Sequence, residues 1–209
     1  METIVYVDGF NLYYGAVKGT PYKWLDIQKL CKLLLPKNQI LKIKYFTALV
    51  TARPSDLNKP NRQLVYLRAL RTIPGLEVIY GHFLEHEIMM PVANPATGGL
   101  KFVRVIKTEE KGSDVNIAAH LIHDAYQRRF DTAVLVTNDS DLLEPIRIVR
   151  NELRLDVGIL NPHKHTTSQV LLKHASFLKQ IRTGAIAESQ FPHLLSDAKG
   201  EIRKPKAWY

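Results

Sequence analysis

The chain has 209 residues, 45% hydrophobic and 23% charged, proportions that exclude a disordered, collagen-like or coiled-coil chain. Lysine and arginine outnumber aspartate and glutamate 29 to 20, a formal net charge of +9. A surface of that sign attracts polyanions.

The opening METIVYVDGF has no basic segment ahead of its apolar stretch, so it is not read as a signal peptide. The lone cysteine, Cys31, has no disulfide partner, which fits a reducing, cytoplasmic setting without a membrane. Thr3–Val7 (TIVYV) reads as the first strand. A helix follows over Asp26–Leu35, with Ile27, Leu30, Cys31 and Leu34 on one face. Ile43–Val50 is a second strand, 54–61 a loop, and Asn61–Thr72 a helix. Leu76–Tyr80 is a third strand. His82–Met90 and Leu100–Ile106 flank the turn-rich PVANPATGG and predict a β-hairpin insert over about 82–106. A helix over Asp114–Arg128, a strand over Thr132–Thr137, a helix over Asp141–Leu153 and a strand over Leu155–Leu160 complete the pattern. Thr167 or Ser168 caps a short helix ending near His174. The strand runs are short, β-branched and mostly unalternating, which suits strands buried on both faces of a parallel sheet. Strands alternating with helices predict an α/β, Rossmann-like three-layer sandwich.

Residues 160–209 carry 8 basic and 3 acidic residues, more than half of the net charge. The end, Lys199–Tyr209 (KGEIRKPKAWY), reads either as a solvated terminus or as a phosphate-binding arm with stacking aromatics.

Four aspartates occupy related places. Asp8 follows the first strand, Asp139 and Asp141 follow the fourth, and Asp114 opens a helix. In open α/β sheets, ligands bind beyond the carboxyl ends of the strands, where the strand order reverses. If the first and fourth strands are neighbours there, the four acids converge. Clustered carboxylates repel, and hard cations such as Mg²⁺ or Mn²⁺ relieve the repulsion. Such ions activate water for phosphodiester hydrolysis. Each acid also suits a plain helix cap. Asn11, Lys111, Asn138 and Ser140 flank the acids, and Arg53 follows the second strand. All five are candidate substrate contacts. Asn161-Pro162-His163 can face the same cleft, and Tyr13 and Tyr14 can either stack bases or fill the core. The histidine pairs lack further zinc ligands, and Cys31 reads as core. No glycine-rich phosphate loop is present.

Three segments, VDGFN (Val7–Asn11), EKGSDVNIAAHLIHDA (Glu110–Ala125) and VLVTNDSDL (Val134–Leu142), resemble the NYN domain family, a branch of the PIN-like nucleases that includes LabA-type proteins. The resemblance spans roughly residues 3 to 182 and implies a domain over 1–182 followed by a basic tail over 183–209. It implies a metal-dependent ribonuclease with Asp8, Asp114, Asp139 and Asp141 as metal-binding acids. Many members carry Ser-Gly-Asp-Ser-Asp where this chain has Thr137-Asn138-Asp139-Ser140-Asp141, so the acids are kept. The expected partner is RNA, single-stranded or structured, with a homo-oligomer as a further possibility. The alternatives are an RNA-binding module that does not cut, and a small-molecule phosphohydrolase, which would leave the +9 unexplained.

Overall fold

The computed structural model describes residues 1–209. β1 (Glu2–Asp8) runs directly into α1 (Gly9–Leu12), whose path continues as a wider π-turn over Tyr13–Val17. α2 (Ile27–Leu34), β2 (Gln39–Thr47), α3 (Lys59–Leu70) and β3 (Leu76–Tyr80) follow. A ribbon of β4 (His82–Pro91) and β5 (Phe102–Lys111) leads to α4 (Ser113–Tyr126) and β6 (Thr132–Val136). α5 (Leu143–Arg147) precedes β7 (Asp156–Asn161), α6 (Gln169–His174), β8 (Phe177–Gln180) and α7 (Thr183–Glu188). A hairpin of β9 (Leu194–Asp197) and β10 (Gly200–Arg203) and a turn at Lys206–Trp208 end the chain.

Six strands form one parallel sheet in the order β3-β2-β1-β6-β7-β8. Alternate residues of each central strand feed opposite cores. Val5 and Val7 of β1 and Val134 and Val136 of β6 pack with α2 and α3. Ile4, Tyr6, Ala133 and Leu135 pack with α4, α5 and α6. The α/β three-layer expectation is met, and the continuous apolar runs are explained by burial on both sides. No helix is long and apolar enough to cross a membrane.

The second core carries a buried ionic network. Lys44 Nζ lies 2.5 Å from Asp124 Oδ2, which also accepts from Tyr6 Oη at 2.7 Å, while Arg129 reaches Asp124 Oδ1 at 2.9 Å. Burial works to raise the Asp124 carboxyl, but the hydrogen bonds from Lys44 and Tyr6 and the Lys44 charge hold it below the usual range.

The structure moves several boundaries. β2 runs from Gln39 to Thr47 rather than from Ile43 to Val50, because Gln39 already pairs beside Glu2. The ribbon extends to Lys111, well past Ile106, with His82 opposite Lys111. The helix over Asp141–Leu153 is broken into a tight turn at Ser140–Leu142, α5 and a π-turn at Ile148–Glu152. Pro145, which has no N–H to donate, sits within α5. Ser168 caps α6 by accepting from Leu171 N. Cys31 is buried, and burial pushes its thiol up to about 12.

The segment Lys199–Tyr209 is neither frayed nor a free arm. Ile202 is buried in the first core, and Trp208 packs near Trp24 and Tyr66 at ring-centre distances of 6.1 and 6.0 Å. Arg68 forks onto Asp197, with Nε 2.7 Å from Oδ2. The apolar residues scattered among the charges anchor this stretch.

Candidate functional site

β1 and β6 lie side by side with Val7 opposite Val136, and the strand order reverses between them. The chain leaves the two strands in different directions and opens a crevice beyond their carboxyl ends. Asp8 closes β1 and caps α1, its Oδ1 accepting from Asn11 N at 2.9 Å. Thr137 follows β6, with Oγ1 3.5 Å from Asp8 Oδ2. The same hydroxyl accepts from Asp139 N at 3.1 Å, and Asp139 Oδ1 accepts from Asp141 N at 3.0 Å. Asp114 lies in the first turn of α4, after Gly112, whose φ of 94° favours glycine.

The electrostatics bring the acids together. Burial pushes Asp8 up to about 7 against the opposing hydrogen bond from Asn11, and the charges of Asp114, Asp139 and Glu110 add to the rise. Asp114 is raised by burial and by Asp139, Glu110 and Asp141. Glu110, which is not among the four sequence candidates, is thus electrostatically coupled to Asp8 and Asp114. Glu110 accepts from Ser113 Oγ at 2.8 Å and from Ser113 N at 3.2 Å. The sequence signal for it is its place at the head of the EKGSDVN motif, which a hairpin ending at Ile106 leaves outside the ribbon although the pairing runs to Lys111.

The remaining candidates fall into two groups. Asn11 Oδ1 accepts from Asn138 N at 3.0 Å and lies 3.1 Å from His163 Nε2. Asn138 Oδ1 accepts from Ser168 N at 2.8 Å, and Asn161 Oδ1 accepts from His163 N at 2.8 Å. Asn11 and Asn138 thus lace together the loops after β1, β6 and β7, and their oxygens face protein donors. The Asn161-Pro162-His163 turn does reach this crevice. Ser140, Asp141, Lys111 and Arg53 are exposed. Lys111 lies 3.5 Å from Glu109, and Arg53 lines a cavity with Phe83 and Glu110. The ribbon leans over this side, where Phe83 meets Phe10 edge-to-face at 5.5 Å.

The donor set is all hard oxygen, and its mutual repulsion is what a divalent cation relieves, so the chemistry of the residues suits Mg²⁺ or Mn²⁺. No three His, Cys, Asp or Glu side chains stand close enough to form a closed ligand set. Asp139 has Oδ1 engaged by a backbone amide and offers Oδ2, while Asp8 accepts from Asn11 N at Oδ1 and has the Thr137 hydroxyl at the long distance of 3.5 Å from Oδ2.

A second feature abuts the acids. A cavity of about 240 Å³ opens from Gly9 and Phe10 toward Tyr45, Tyr66 and Trp208.

Residues 2–181 match the model of the NYN domain. The chain is 31% identical, over 239 aligned positions, to a Pseudomonas putida (strain DSM 28022 / S16) protein named 6-hydroxy-3-succinoylpyridine 3-monooxygenase HspA. That alignment covers 100% of this chain and 76% of the relative. The crystal structure of VPA0982, a protein of unknown function from Vibrio parahaemolyticus RIMD 2210633, is similar with a TM-score of 0.54 at 20% identity. It covers 87% of this chain and 93% of that one, and the likeness is one of fold.

Proposed function

The chain belongs to the NYN domain family, a nuclease family, and from that premise we propose that it is a divalent-metal-dependent ribonuclease acting through its aspartate cleft. The observation that carries the reading is Asp8: a carboxylate at the strand-order reversal whose burial pushes its pKa up to about 7, with the charges of Asp114, Asp139 and Glu110 adding to the rise. Maintaining such repulsion is costly unless a cation takes its place among the acids. Asp8, Asp114 and Asp139 would hold Mg²⁺ or Mn²⁺, with Asp141 and Glu110 at the rim. When bound, the ion supplies an activated water and counter-charge for the developing anion. The protein's own part is orientation. Asn11 and Thr137 fix Asp8 from two sides, and the Asn138–Ser168 and Asn11–His163 bonds hold the surrounding loops. Arg53 and Lys111, exposed at the rim, attract the RNA backbone within a chain of net charge +9.

The test is end-labelled single-stranded and structured RNA incubated with the full chain in Mg²⁺, in Mn²⁺ and in chelator. Cleavage should require metal and should fall by at least about 100-fold in Asp8→Asn, Asp114→Asn and Asp139→Asn, with RNA binding kept. Cleavage that persists in chelator overturns the reading. Salt-sensitive binding without products in any metal instead favours a non-catalytic RNA-binding module.

A second reading, oxidation of a small heteroaromatic acid, is favoured by the 31% identical relative and by the name that relative carries. It predicts oxidation of a hydroxypyridine bearing a succinoyl side chain in the presence of a reductant and oxygen, with RNA left intact.

A further inference from the structure

We infer that the cavity beside Asp8 is a binding site for a single planar aromatic ring bearing an anionic group. This names what the proposed site recognises, and it rests on that reading only in taking Asp8 as the neighbouring reactive centre.

The size selects one ring. About 240 Å³ lies just below the roughly 300–1,000 Å³ of drug-sized ligand pockets, with room for one heterocycle and a substituent rather than an extended ligand. The walls are aromatic and come from four parts of the chain. Phe10, Tyr13 and Tyr14 follow β1, Tyr45 ends near the carboxyl end of β2, Tyr66 projects from α3, and Trp208 closes the cavity from the chain's last turn. Tyr45 and Tyr66 meet at 6.5 Å and 80°, and Tyr66 and Trp208 at 6.0 Å and 73°, so the walls stand at steep angles to one another. Such a box suits a flat π-system.

The charge selects an anion. Lys23, Lys59 and Arg62 line the cavity against one carboxylate, Asp56, which Arg62 engages. Lys23 and Lys59 form no ion pair, which leaves two cations facing a mainly apolar space. Lys59 is the telling one. It opens the 12-residue helix α3, where a cation opposes the helix dipole, and that first turn has no acidic residue.

The link to Asp8 is Tyr45. Its side chain is buried, lines the cavity and touches Gly9, the residue after Asp8. A ring seated in this box therefore lies against the wall of the aspartate cleft. The same chemistry has two sources: a nucleotide unit of RNA, with phosphate as the anion, or a free heteroaromatic carboxylic acid.

The test is titration calorimetry on the metal-free full chain, with Trp208 fluorescence as a site readout. One arm compares 5′-mononucleotides with their nucleosides, and the other compares pyridine-3-carboxylate with its neutral amide. Saturable binding at least about tenfold tighter for the anionic member of a pair is expected. Lys59→Gln should lose that preference with an unchanged melting temperature, and Trp208→Phe should bind where Trp208→Ala does not. Preference in the nucleotide arm assigns the RNA source, and preference in the carboxylate arm assigns the free acid. No saturable binding in either arm, equal affinity for charged and neutral members, or indifference to both Lys59→Gln and Lys23→Gln overturns the inference. RNA cleavage without ring binding would sink this inference alone, and ring binding without cleavage would sink the ribonuclease reading alone.

Discussion

The Tyr45 hydroxyl lies so close to Gly9 that a Cβ built on Gly9 would stand 2.8 Å from it. The same Cβ would stand 2.7 Å from the carbonyl oxygen of Phe46, which cannot swing away as a side chain does. This contact joins the aspartate cleft to the aromatic cavity. Gly9→Ala should therefore destabilise the fold by about 1–3 kcal/mol in urea denaturation and displace Asp8 and Tyr45 together. Unchanged stability would mean that the two sites are not rigidly joined.

Asp8→Asn should stabilise the metal-free protein at neutral and higher pH. The folded carboxyl binds its proton more tightly than the unfolded one, about 7 against 3.8. Wild type therefore loses stability as pH rises from about 4 through about 7 and no further above that. Asparagine keeps the acceptor for Asn11 N and removes the charge. The gain at pH 8 should reach at most about 4 kcal/mol, should shrink toward zero near pH 4, and should vanish in saturating Mg²⁺. A variant less stable than wild type at every pH would make Asp8 a structural cap rather than a strained ligand.

The Lys44–Asp124 pair predicts the opposite acid response. Asp124 is held below its ordinary value, so its contribution is present above about pH 4 and is lost as pH falls through the lowered folded value. Both side chains are buried. Asp124→Asn strands the Lys44 ammonium and should cost about 3–5 kcal/mol by chemical denaturation at pH 7. A cost below about 1 kcal/mol would show that Lys44 relaxes to solvent.

The central strands and the aspartates near their ends could be read from the sequence because both depend on local pattern, whereas the adjacency of the first and fourth strands stayed a condition that the sheet order β3-β2-β1-β6-β7-β8 meets. TIVYV and TAVLVT are apolar on both faces, and Asp8 follows the first directly while Asp139 follows the second after Asn138. Glu110 could not, because its place depends on where the ribbon ends, which is set by cross-strand pairing of His82 with Lys111. β8 was missed for a related reason. FLKQ is four residues long and holds its place through Phe177, packed where Gly158 leaves space. The aromatic cavity was beyond reach, since it joins residues from position 10 to position 208 and needs a folded C-terminus.

The network between loops gives a further expectation. Asn11→Ala frees Asn138 N and removes the partner of His163 Nε2. It should cost about 1–3 kcal/mol and weaken Mn²⁺ binding measured by calorimetry, although Asn11 is not itself among the proposed ligands. Mn²⁺ affinity equal to wild type would separate loop order from the acid cleft.

The most direct measurement follows the oxygen. RNA is digested by the full chain with Mn²⁺ in ¹⁸O-water, and the product ends are analysed by mass spectrometry. Hydrolysis by activated water at the aspartate cleft predicts a terminal phosphate carrying one solvent oxygen, absent with Asp8→Asn or chelator. Intact RNA, or 2′,3′-cyclic phosphate ends without solvent oxygen, would contradict it.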